Sequence, residues 1–440
     1  MNKKTSAKDS QVVNWENRTL FHGDNLNFMR GMNSESVDLI ATDPPFNKNK
    51  DFHATPDSLA AGASFQDRWS WQDDVHQEWV DQIEDDHPAL MHAIESARHA
   101  HSDGMGAYLC FMGVRLLEMH RLLKPTGSIY LHCDPTASHY LKAIMDAIFG
   151  EKNFRNEIVW CYTGPGSPGM RQFNRKSDTI FWYSKGKEWV FNKDEIRIPY
   201  KDPNQSLRRA MSSTGSFTKE EIEVNRKKGK IPENWWSSFA LAVRSKKENT
   251  GYPTQKPIKL LERIIKASSN EGNIVLDPFC GCATTCVAAE RLNRQWVGID
   301  IWKKSHALIV KRAESEAGLL GKVYYSKKAP KRTDKGDTAT VYLQVKKSVP
   351  KEPPGPKKSR AEMLEILLTE KGTKCQGCDR KFDDPRYLQL DHNTPRADGG
   401  LNHISNRILL CGPCNRLKSN RLTLSGLREE NKKRGYMANN

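Results

Sequence analysis

Short apolar strands alternate with amphipathic helices in two stretches of this 440-residue chain, and no other feature constrains its fold as strongly. In the first stretch, 37–42 and 128–133 are apolar strands, and apolar residues recur at helical spacing over 107–123 between them. The same alternation returns over 258–317. Because it is typical of parallel sheets covered by helices, the sequence predicts an α/β fold. Residues 51–104 lack clear periodicity, and we expect a long insertion there.

The chain is basic, and the excess charge is concentrated near the C-terminus. Lys and Arg number 69 against 53 Asp and Glu, and 25 of the basic but only 13 of the acidic residues lie in 326–440. Basic side chains bind phosphates and release their counterions, so this asymmetry favours a nucleic-acid partner. A charged tail that only confers solubility is the alternative.

The composition also bears on the compartment. No apolar run approaches the roughly 18–20 residues of a membrane helix. The N-terminal residues 1–11 lack the apolar stretch of a secretory signal. We therefore expect a soluble, cytoplasmic protein with no membrane partner, in which ten cysteines do not form a disulfide scaffold.

A loop of small residues marks a candidate ligand site. Asp277-Pro278-Phe279-Cys280-Gly281 lies between a predicted strand and a predicted helix, and Asp300 ends the following strand. In doubly wound folds a ligand approaches such a turn, and an acid at the next strand tip holds ribose hydroxyls. Taken alone, the pattern also fits a turn without a ligand.

A second loop sharpens this interpretation. The strand over 37–42 ends at Asp43-Pro44-Pro45-Phe46, where consecutive prolines force the chain to bend. With the small-residue loop, this motif resembles the amino-group DNA methyltransferases, which methylate adenine N6 or cytosine N4. The order of the two loops is similar to the permuted β-type arrangement. The segments 21–26 and 252–257 also look like the family, so the resemblance covers roughly 17–315.

The resemblance implies a Rossmann-like sheet, an S-adenosylmethionine cofactor and double-stranded DNA as substrate. The carboxylate of Asp43 and the carbonyl of Pro44 would accept hydrogen bonds from the target amine, beside Pro45, and Phe46 would stack on the extruded base. Implied cofactor residues meet the adenine, ribose and methionine parts of the cofactor or line its pocket. They are Asp24, Thr254, Lys256, Asp277, Phe279, Gly281 and Asp300. For Asp24 and Thr254, helix capping or turn formation is the alternative.

One position departs from the family. Its cofactor motif ends in a second glycine, where this chain has Ala283. Alanine fits there if its φ is negative.

The target base is the least constrained part of this interpretation. An acid at the first motif position favours adenine N6, and cytosine N4 is the alternative. Cytosine C5 methylation needs a Pro-Cys nucleophile, and Pro413-Cys414 lies in the other domain.

Basic and aromatic residues in the variable region between the two loops, 161–250, suit phosphate and base contacts. They are Arg208, Arg209, Lys227, Lys228, Trp235 and Trp236. A solvated loop with core tryptophans is the alternative.

Two Cys-x-x-Cys pairs predict a metal site near the C-terminus. Cys375 and Cys378 are separated by 32 residues from Cys411 and Cys414. Without an oxidising compartment, four thiolates favour structural Zn²⁺ over disulfides.

The sequence between these pairs resembles the HNH, or ββα-metal, endonucleases. His392 matches their general base, Asp391 and Asn415 match ligands of a divalent metal such as Mg²⁺, and Asn406 matches the loop-stabilising residue. In the leading hypothesis, methylation protects sites that the nuclease would cut, as in restriction–modification. The alternatives are a module that only binds DNA, and a nuclease directed separately at foreign or modified DNA.

The resemblances assign a role to each part of the chain. The predicted regions are a catalytic part with the Asp-Pro-Pro-Phe loop, a target-recognition region, a cofactor-binding part, a basic linker and the HNH domain. They span 1–160, 161–250, 251–325, 326–358 and 359–440. A homodimer is compatible with the sequence, which does not fix the oligomeric state.

Overall fold

The computed structural model describes residues 13–164, 166, 171–200, 218–317, 322–334, 358–394, 401–418 and 422–438. Arg208, Arg209 and most of the predicted linker lie outside these residues. The chain forms two compact units. One comprises Trp15–Trp69 and Arg115–Ala329, and the other combines Ser70–Val114 with the described residues up to Asn14 and from Pro330 onward. Within the described ranges, no helix is both long and apolar enough to cross a bilayer.

The first unit is built on a nine-stranded sheet. Its chain also forms a separate hairpin from β3 and β4. The strands are β1 Thr19–His22, β2 Val37–Thr42, β3 Lys50–His53, β4 Ser64–Asp67, β5 Leu123–Cys133, β6 Phe154–Cys161, β7 Ser177–Ser184, β8 Trp235–Trp236, β9 Ile274–Asp277, β10 Gln295–Asp300 and β11 Tyr324–Ser326. The order across the sheet is β11-β1-β10-β9-β2-β5-β7-β6-β8.

The sheet is parallel on one side and mixed on the other. From β11 to β5 every neighbouring pair is parallel, which confirms the α/β prediction. β7 runs antiparallel to both β5 and β6, so the prediction of a parallel sheet is wrong on this side. β7 is an almost wholly buried run in a region where periodicity fades, so no alternation of exposed and buried residues marks it.

The structure describes ten α-helices up to residue 317, and half of them, including those within 107–123 and 258–317, lie where apolar spacing predicts them. The ten are α1 Asn25–Gly31, α2 Trp71–Asp74, α3 Gln77–Asp86, α4 Pro88–Ala100, α5 Asp103–Leu122, α6 Ser138–Phe149, α7 Lys219–Lys228, α8 Ile258–Ser268, α9 Thr284–Arg291 and α10 Ser305–Ala317. In α8 the residues Leu260, Leu261, Ile264 and Ile265 form one buried face, which joins the core beside β2 and β9.

The insertion expected over 51–104 is largely helical. Helix α4 buries Leu90, Met91, Ile94 and Ala97, which follow helical spacing among polar residues. Helix α3 buries one aliphatic side chain, Ile83, with the polar Gln82 and Asp85. Such a polar helix leaves no periodic apolar pattern, which explains why the sequence did not reveal it. Both helices belong to the second unit.

The C-terminal part of the second unit is a hairpin followed by short helices. The elements are α11 Arg360–Lys371, β12 Leu388–His392, β13 Arg407–Cys411, α12 Gly412–Lys418 and α13 Leu424–Lys433. Ser359 and Glu362 form a reciprocal capping box that starts α11. The antiparallel strand pair followed by a helix confirms the predicted ββα arrangement.

Candidate functional site

Four acidic residues predicted as site residues lie along one edge of the large sheet. Strands β1, β10, β9 and β2 are parallel neighbours, so their carboxyl ends share this edge. Asp24 follows β1, Asp43 follows β2, and Asp277 and Asp300 end β9 and β10. In open α/β sheets, ligands bind outside the carboxyl ends of the strands. The fold therefore brings the two predicted loops to one edge.

The carboxylate of Asp43 is held by a buried lysine. Lys256 Nζ donates to Asp43 Oδ2 at 2.6 Å and to the Thr254 carbonyl oxygen at 3.0 Å. His132 Nδ1 lies 3.5 Å from Asp43 Oδ1. This Oδ1 is buried and accepts no hydrogen bond from any residue within the described ranges. It therefore remains an acceptor that a ligand's N–H could use.

The Phe46 ring lies beside this carboxylate. Lys256 Nζ and Lys48 Nζ lie 5.0 and 5.4 Å from the ring centroid. The His132 ring centroid is 5.6 Å away. Because cations attract the face of an aromatic ring, these neighbours fix its orientation before a ligand binds.

The small-residue loop is tied to the neighbouring strand through Asp277. Thr42 Oγ1 donates to Asp277 Oδ1 at 2.9 Å, and the Phe279 N–H donates to the same oxygen at 3.1 Å. Burial raises the pKa of Asp277 to about 7. This aspartate thus links the end of β2, one residue before Asp43, to the loop.

Asp300 holds the same loop from the other side. The Gly281 N–H donates to Asp300 Oδ2 and the Trp302 N–H donates to Oδ1, both at 2.7 Å. Burial raises the pKa of Asp300. Gly281 has φ +50°, and a Cβ there would lie 2.9 Å from the Tyr252 ring. The loop therefore needs glycine at this position.

Ala283 adopts the left-handed conformation, with φ +59° and ψ +37°. The sequence prediction that alanine fits here required a negative φ, which the structure does not have. A non-glycine residue in this conformation is strained by roughly 1–2 kcal/mol. Such strain is typical of functional loops.

The four paired cysteines of the second unit form one cluster. Their Sγ atoms all lie within 4.8 Å of one another, and all four residues are buried. The Cys411 N–H donates to Cys375 Sγ at 3.2 Å, and Asn431 Nδ2 donates to Cys414 Sγ at 3.4 Å. Converging thiols that accept N–H bonds suit a tetrahedral Zn²⁺.

Asp391 and His392 end β12 inside the same unit and are both buried. Lys418 Nζ forms an ion pair with Asp391 Oδ2 at 3.0 Å. Asn406 accepts the Thr394 N–H at 2.8 Å and donates to the Thr394 and Leu401 carbonyls. These contacts are those of a loop-stabilising residue. Asn415 Nδ2 donates to Gln389 Oε1 at 2.7 Å.

Comparison with known proteins decides the family. The family model described as DNA methylase matches residues 37–311, which is more than half of the chain. The chain belongs to the DNA methylase family. The model described as HNH endonuclease matches residues 375–421, so the methylase carries a C-terminal HNH domain.

Two curated relatives cover most of the methylase region. Type II methyltransferase M.HpaI of Haemophilus parainfluenzae is 31% identical over 289 residues, 66% of this chain and 71% of the relative. DNA adenine methyltransferase YhdJ of Escherichia coli strain K12 is 29% identical over 299 residues, 68% of this chain and 83% of the relative. Among solved structures, the modification methylase TTHA0409 of Thermus thermophilus, complexed with S-adenosyl-L-methionine, is 19% identical. It aligns with a TM-score of 0.38 over 68% of this chain and 96% of its own.

Asp24 of the methylase caps helix α1, which is the alternative role that the sequence offered for it. It accepts the Leu26 N–H at 2.8 Å at the start of α1, and Arg115 Nη2 contacts both of its oxygens. Its side chain is still 48% exposed. Capping therefore leaves surface for a ligand.

The three predicted cofactor residues Thr254, Lys256 and Phe279 differ in their surroundings. Thr254 is exposed with φ +61°. Its carbonyl, like the carboxylate of Asp43, accepts from Lys256. The structure thus directs this lysine toward Asp43. Phe279 is half-buried in the loop.

The aromatic and basic residues of the variable region differ in exposure. Trp236 is packed in the core, and its Nε1 donates to the Glu233 carbonyl oxygen. Trp235 is 49% exposed. Lys227 and Lys228 are exposed at the end of α7.

Sequence reasoning missed two polar contributions to the methylase site. His132 Nε2 lies 3.1 Å from Asp178 Oδ2. Burial raises the pKa of Asp178, but the hydrogen bond and charge of His132 outweigh it and lower this pKa overall. Asn25 Nδ2 donates to the Pro278 carbonyl oxygen at 2.7 Å. A histidine within the apolar strand Ser128–Cys133 could have indicated the first contribution.

Proposed function

We propose that the methylase transfers a methyl group from S-adenosylmethionine to N6 of adenine in double-stranded DNA. The observation that carries this proposal is Oδ1 of Asp43, beside Pro44 and Phe46, which accepts no hydrogen bond from any described residue. An exocyclic amine conjugated to a base is a poor nucleophile. Acceptors on its N–H groups orient the nitrogen lone pair toward the methyl donor. The base must leave the duplex to reach them.

The cofactor would bind the opposite loop. Asp300, Gly281 and Phe279 are its proposed neighbours, with Asp277 supporting the loop and Asp24 at the adenine end. The close approach of the Gly281 backbone to its neighbours supports this assignment. When bound, the sulfonium supplies the electrophilic methyl group, and the protein's groups position the amine against it.

Adenine is proposed over cytosine on two grounds. The first motif residue is an aspartate, and one relative at 29% identity is named a DNA adenine methyltransferase. The decisive experiment sequences modified bases in DNA from cells that express the wild-type chain or the Asp43→Ala variant. We expect N6-methyladenine in one context, absent with the variant. N4-methylcytosine instead would replace this proposal with its alternative.

The variable region is proposed to contact DNA. The exposure of Trp235 and of Lys227 and Lys228 supports this role. Arg208 and Arg209 are proposed on sequence alone. Because Trp236 is packed in the core, we propose no base contact for it. Replacing Lys227 and Lys228 by Gln should make DNA binding less dependent on salt. The slope of log affinity against log salt concentration should fall by about one for each phosphate contact that the variant loses.

We further propose that the HNH domain is a Zn²⁺-stabilised, metal-dependent DNA endonuclease. The family match over residues 375–421 and the cysteine cluster support it. His392 is the proposed general base, and Asp391 and Asn415 are the proposed ligands of a divalent cation. A cation such as Mg²⁺ would stabilise the charge on the phosphate oxygens.

The test incubates plasmid with protein and Mg²⁺, with and without S-adenosylmethionine. Cleavage that disappears in Asp391→Ala and His392→Ala supports the nuclease, and protection by prior methylation supports the restriction–modification hypothesis. Cleavage that prior self-methylation does not block, but that requires a modification carried by foreign DNA, supports a nuclease with a separate function. Binding without cutting under every condition supports a DNA-binding module.

A further inference from the structure

Two acidic residues at the end of α3 reach the proposed nuclease centre, within the second unit. Asp85 Oδ1 accepts from Arg360 Nη1 at 2.6 Å, and Asp85 Oδ2 accepts from Arg407 Nη2 at 2.8 Å. Asp85 is buried. Its carboxylate therefore bridges two guanidinium groups.

Asp86 contacts the proposed general base directly. Its Oδ1 lies 3.3 Å from His392 Nδ1, and Asp85 Oδ2 lies 3.6 Å from His392 Nε2. The His392 side chain has 0% exposure. A general base must lie within hydrogen-bond reach of the water it activates. In this arrangement neither water nor a phosphate can reach it.

The contacts of the Asp85 carboxylate resemble those of a bound phosphate. Arginine binds both carboxylate and phosphate oxygens. Two guanidinium groups can therefore hold a tetrahedral phosphate as they hold this planar carboxylate. Arg360 also donates to the Leu390 carbonyl oxygen at 3.0 Å, which holds it beside β12. The cationic groups are thus positioned independently of Asp85.

We propose that Arg360 and Arg407 form the subsite for a DNA backbone phosphate at the nuclease centre, that Asp85 occupies it as an internal substitute, and that Asp86 covers His392. The inference rests on the proposed nuclease function of the HNH domain. In the closed arrangement α3 excludes DNA from His392. Cutting requires α3 to leave, and a DNA phosphate then replaces the Asp85 carboxylate on the same arginines.

A different use of Asp86 has to be separated from this one. Ligand atoms of Asp86, Asp391 and His392 lie within 4.8 Å of one another, as in a metal site. However, two of the three acids here, Asp85 and Asp391, have protein cations as partners. Lys418 pairs with Asp391, and the two arginines pair with Asp85. This balance favours a closed ion-pair network over a site that needs Asp86 to bind a cation.

The experiment compares the full-length wild type with the double variant Asp85→Asn, Asp86→Asn. We expect plasmid nicking with Mg²⁺ to accelerate by about tenfold or more, because a minor open state is commonly populated at roughly 0.1–10%. The matched control is Glu78→Gln, Glu84→Gln, which removes two charges from exposed positions of the same helix. It should cut at the wild-type rate, and all three proteins should methylate DNA equally.

A second measurement does not depend on cutting. Diethyl pyrocarbonate modifies accessible neutral imidazoles, and mass spectrometry reports the modification of His392. We expect slow modification in the wild type and the control, and modification at least about tenfold faster in the double variant. Faster modification of His392 without any DNA cutting would support the proposal that α3 covers His392, and it would refute the proposed nuclease activity. If the double variant shows the same His392 modification rate and the same cutting rate as the wild type, the proposal that α3 covers His392 is overturned.

Loss of cutting in the double variant, with methylation intact, would also overturn the proposal, because it would make Asp86 part of the catalytic metal site. The phosphate subsite is tested by adding Arg360→Gln to the double variant. We expect weaker duplex binding, with the salt slope reduced by about one. An unchanged slope would exclude Arg360 as a phosphate ligand.

Discussion

Lys256 and Asp43, 213 positions apart in the chain, form an ion pair with 2.6 Å between Nζ and Oδ2. The pair connects the residue that follows β2 to the segment that precedes α8. It leaves Oδ1 of Asp43 as the carboxylate oxygen without a hydrogen-bond partner among the described residues. In the proposed mechanism, Lys256 would therefore determine which oxygen of Asp43 faces the substrate amine.

Replacing Lys256 by Met should lower kcat for methylation. Without the ammonium, the Asp43 carboxylate can rotate, and a misplacement of about 1 Å costs on the order of 10²-fold in rate. Steady-state kinetics with varied S-adenosylmethionine and DNA measure the effect, and Lys256→Arg should retain part of the activity. An unchanged kcat with a raised KM for the cofactor would instead assign Lys256 to the methionine carboxylate.

Replacing Ala283 by Gly should stabilise the first unit. The strain at φ +59° exceeds the entropic cost of glycine, which leaves a net gain of about 0.5–1 kcal/mol in the free energy of unfolding. Thermal denaturation measures it. Ala289→Gly, inside α9, is the control and should destabilise by about 1 kcal/mol. A lower melting temperature for both variants would contradict the strain at residue 283.

The pH dependence of stability should reflect Asp277. Its folded pKa of about 7 exceeds the ordinary value of 3.8, so its contribution to stability is fully present below pH 3.8 and is lost as pH rises through 7. The loss amounts to roughly 4 kcal/mol. Asp277→Asn does not ionise and keeps an acceptor for Thr42 and Phe279. Its stability relative to wild type should therefore be higher at pH 8 than at pH 5.

Denaturant unfolding at several pH values tests this expectation. Asp57→Asn, at an exposed position, is the matched control. Parallel curves for wild type and Asp277→Asn across this range would show that the Asp277 carboxyl does not retain its proton on folding.

Removal of zinc should unfold the HNH domain. We expect about one equivalent of Zn²⁺ per chain, absent from Cys411→Ser and retained in Cys161→Ser. Elemental analysis measures the metal, and limited proteolysis identifies the region that becomes accessible. Resistance of the C-terminal region to proteolysis after complete zinc removal would show that the four thiols stabilise it without a metal.

The sequence predicted the parts of the fold that repeat a regular pattern. Helix α8 opens the stretch 258–317 in which the sequence predicts strands alternating with helices, because its apolar residues form one stripe with a clear start after Pro257. The two site loops were predicted because consecutive prolines and small residues after buried strands are locally distinctive. The meeting of Asp43 and Asp277 at one edge follows from the adjacency of β2 and β9.

Other features depend on tertiary packing that local patterns do not encode. The strand Ser177–Ser184 is covered on both sides and therefore lacks alternation. Helix α3 is held in place by carboxylates on arginines hundreds of positions away, so its local sequence has little apolar periodicity. The pairing of Lys256 with Asp43 is equally remote, which is why the lysine was predicted beside the cofactor.

The grouping of Ser70–Val114 with the C-terminal hairpin has a practical consequence. A protease cut or a genetic truncation within the basic segment 326–358 would separate the C-terminal hairpin from three helices and the first part of α5, which belong to the same compact unit. The two units of this chain are therefore interleaved in the gene. A gene fragment that encodes only the C-terminal part would therefore lack part of the compact unit to which that part belongs.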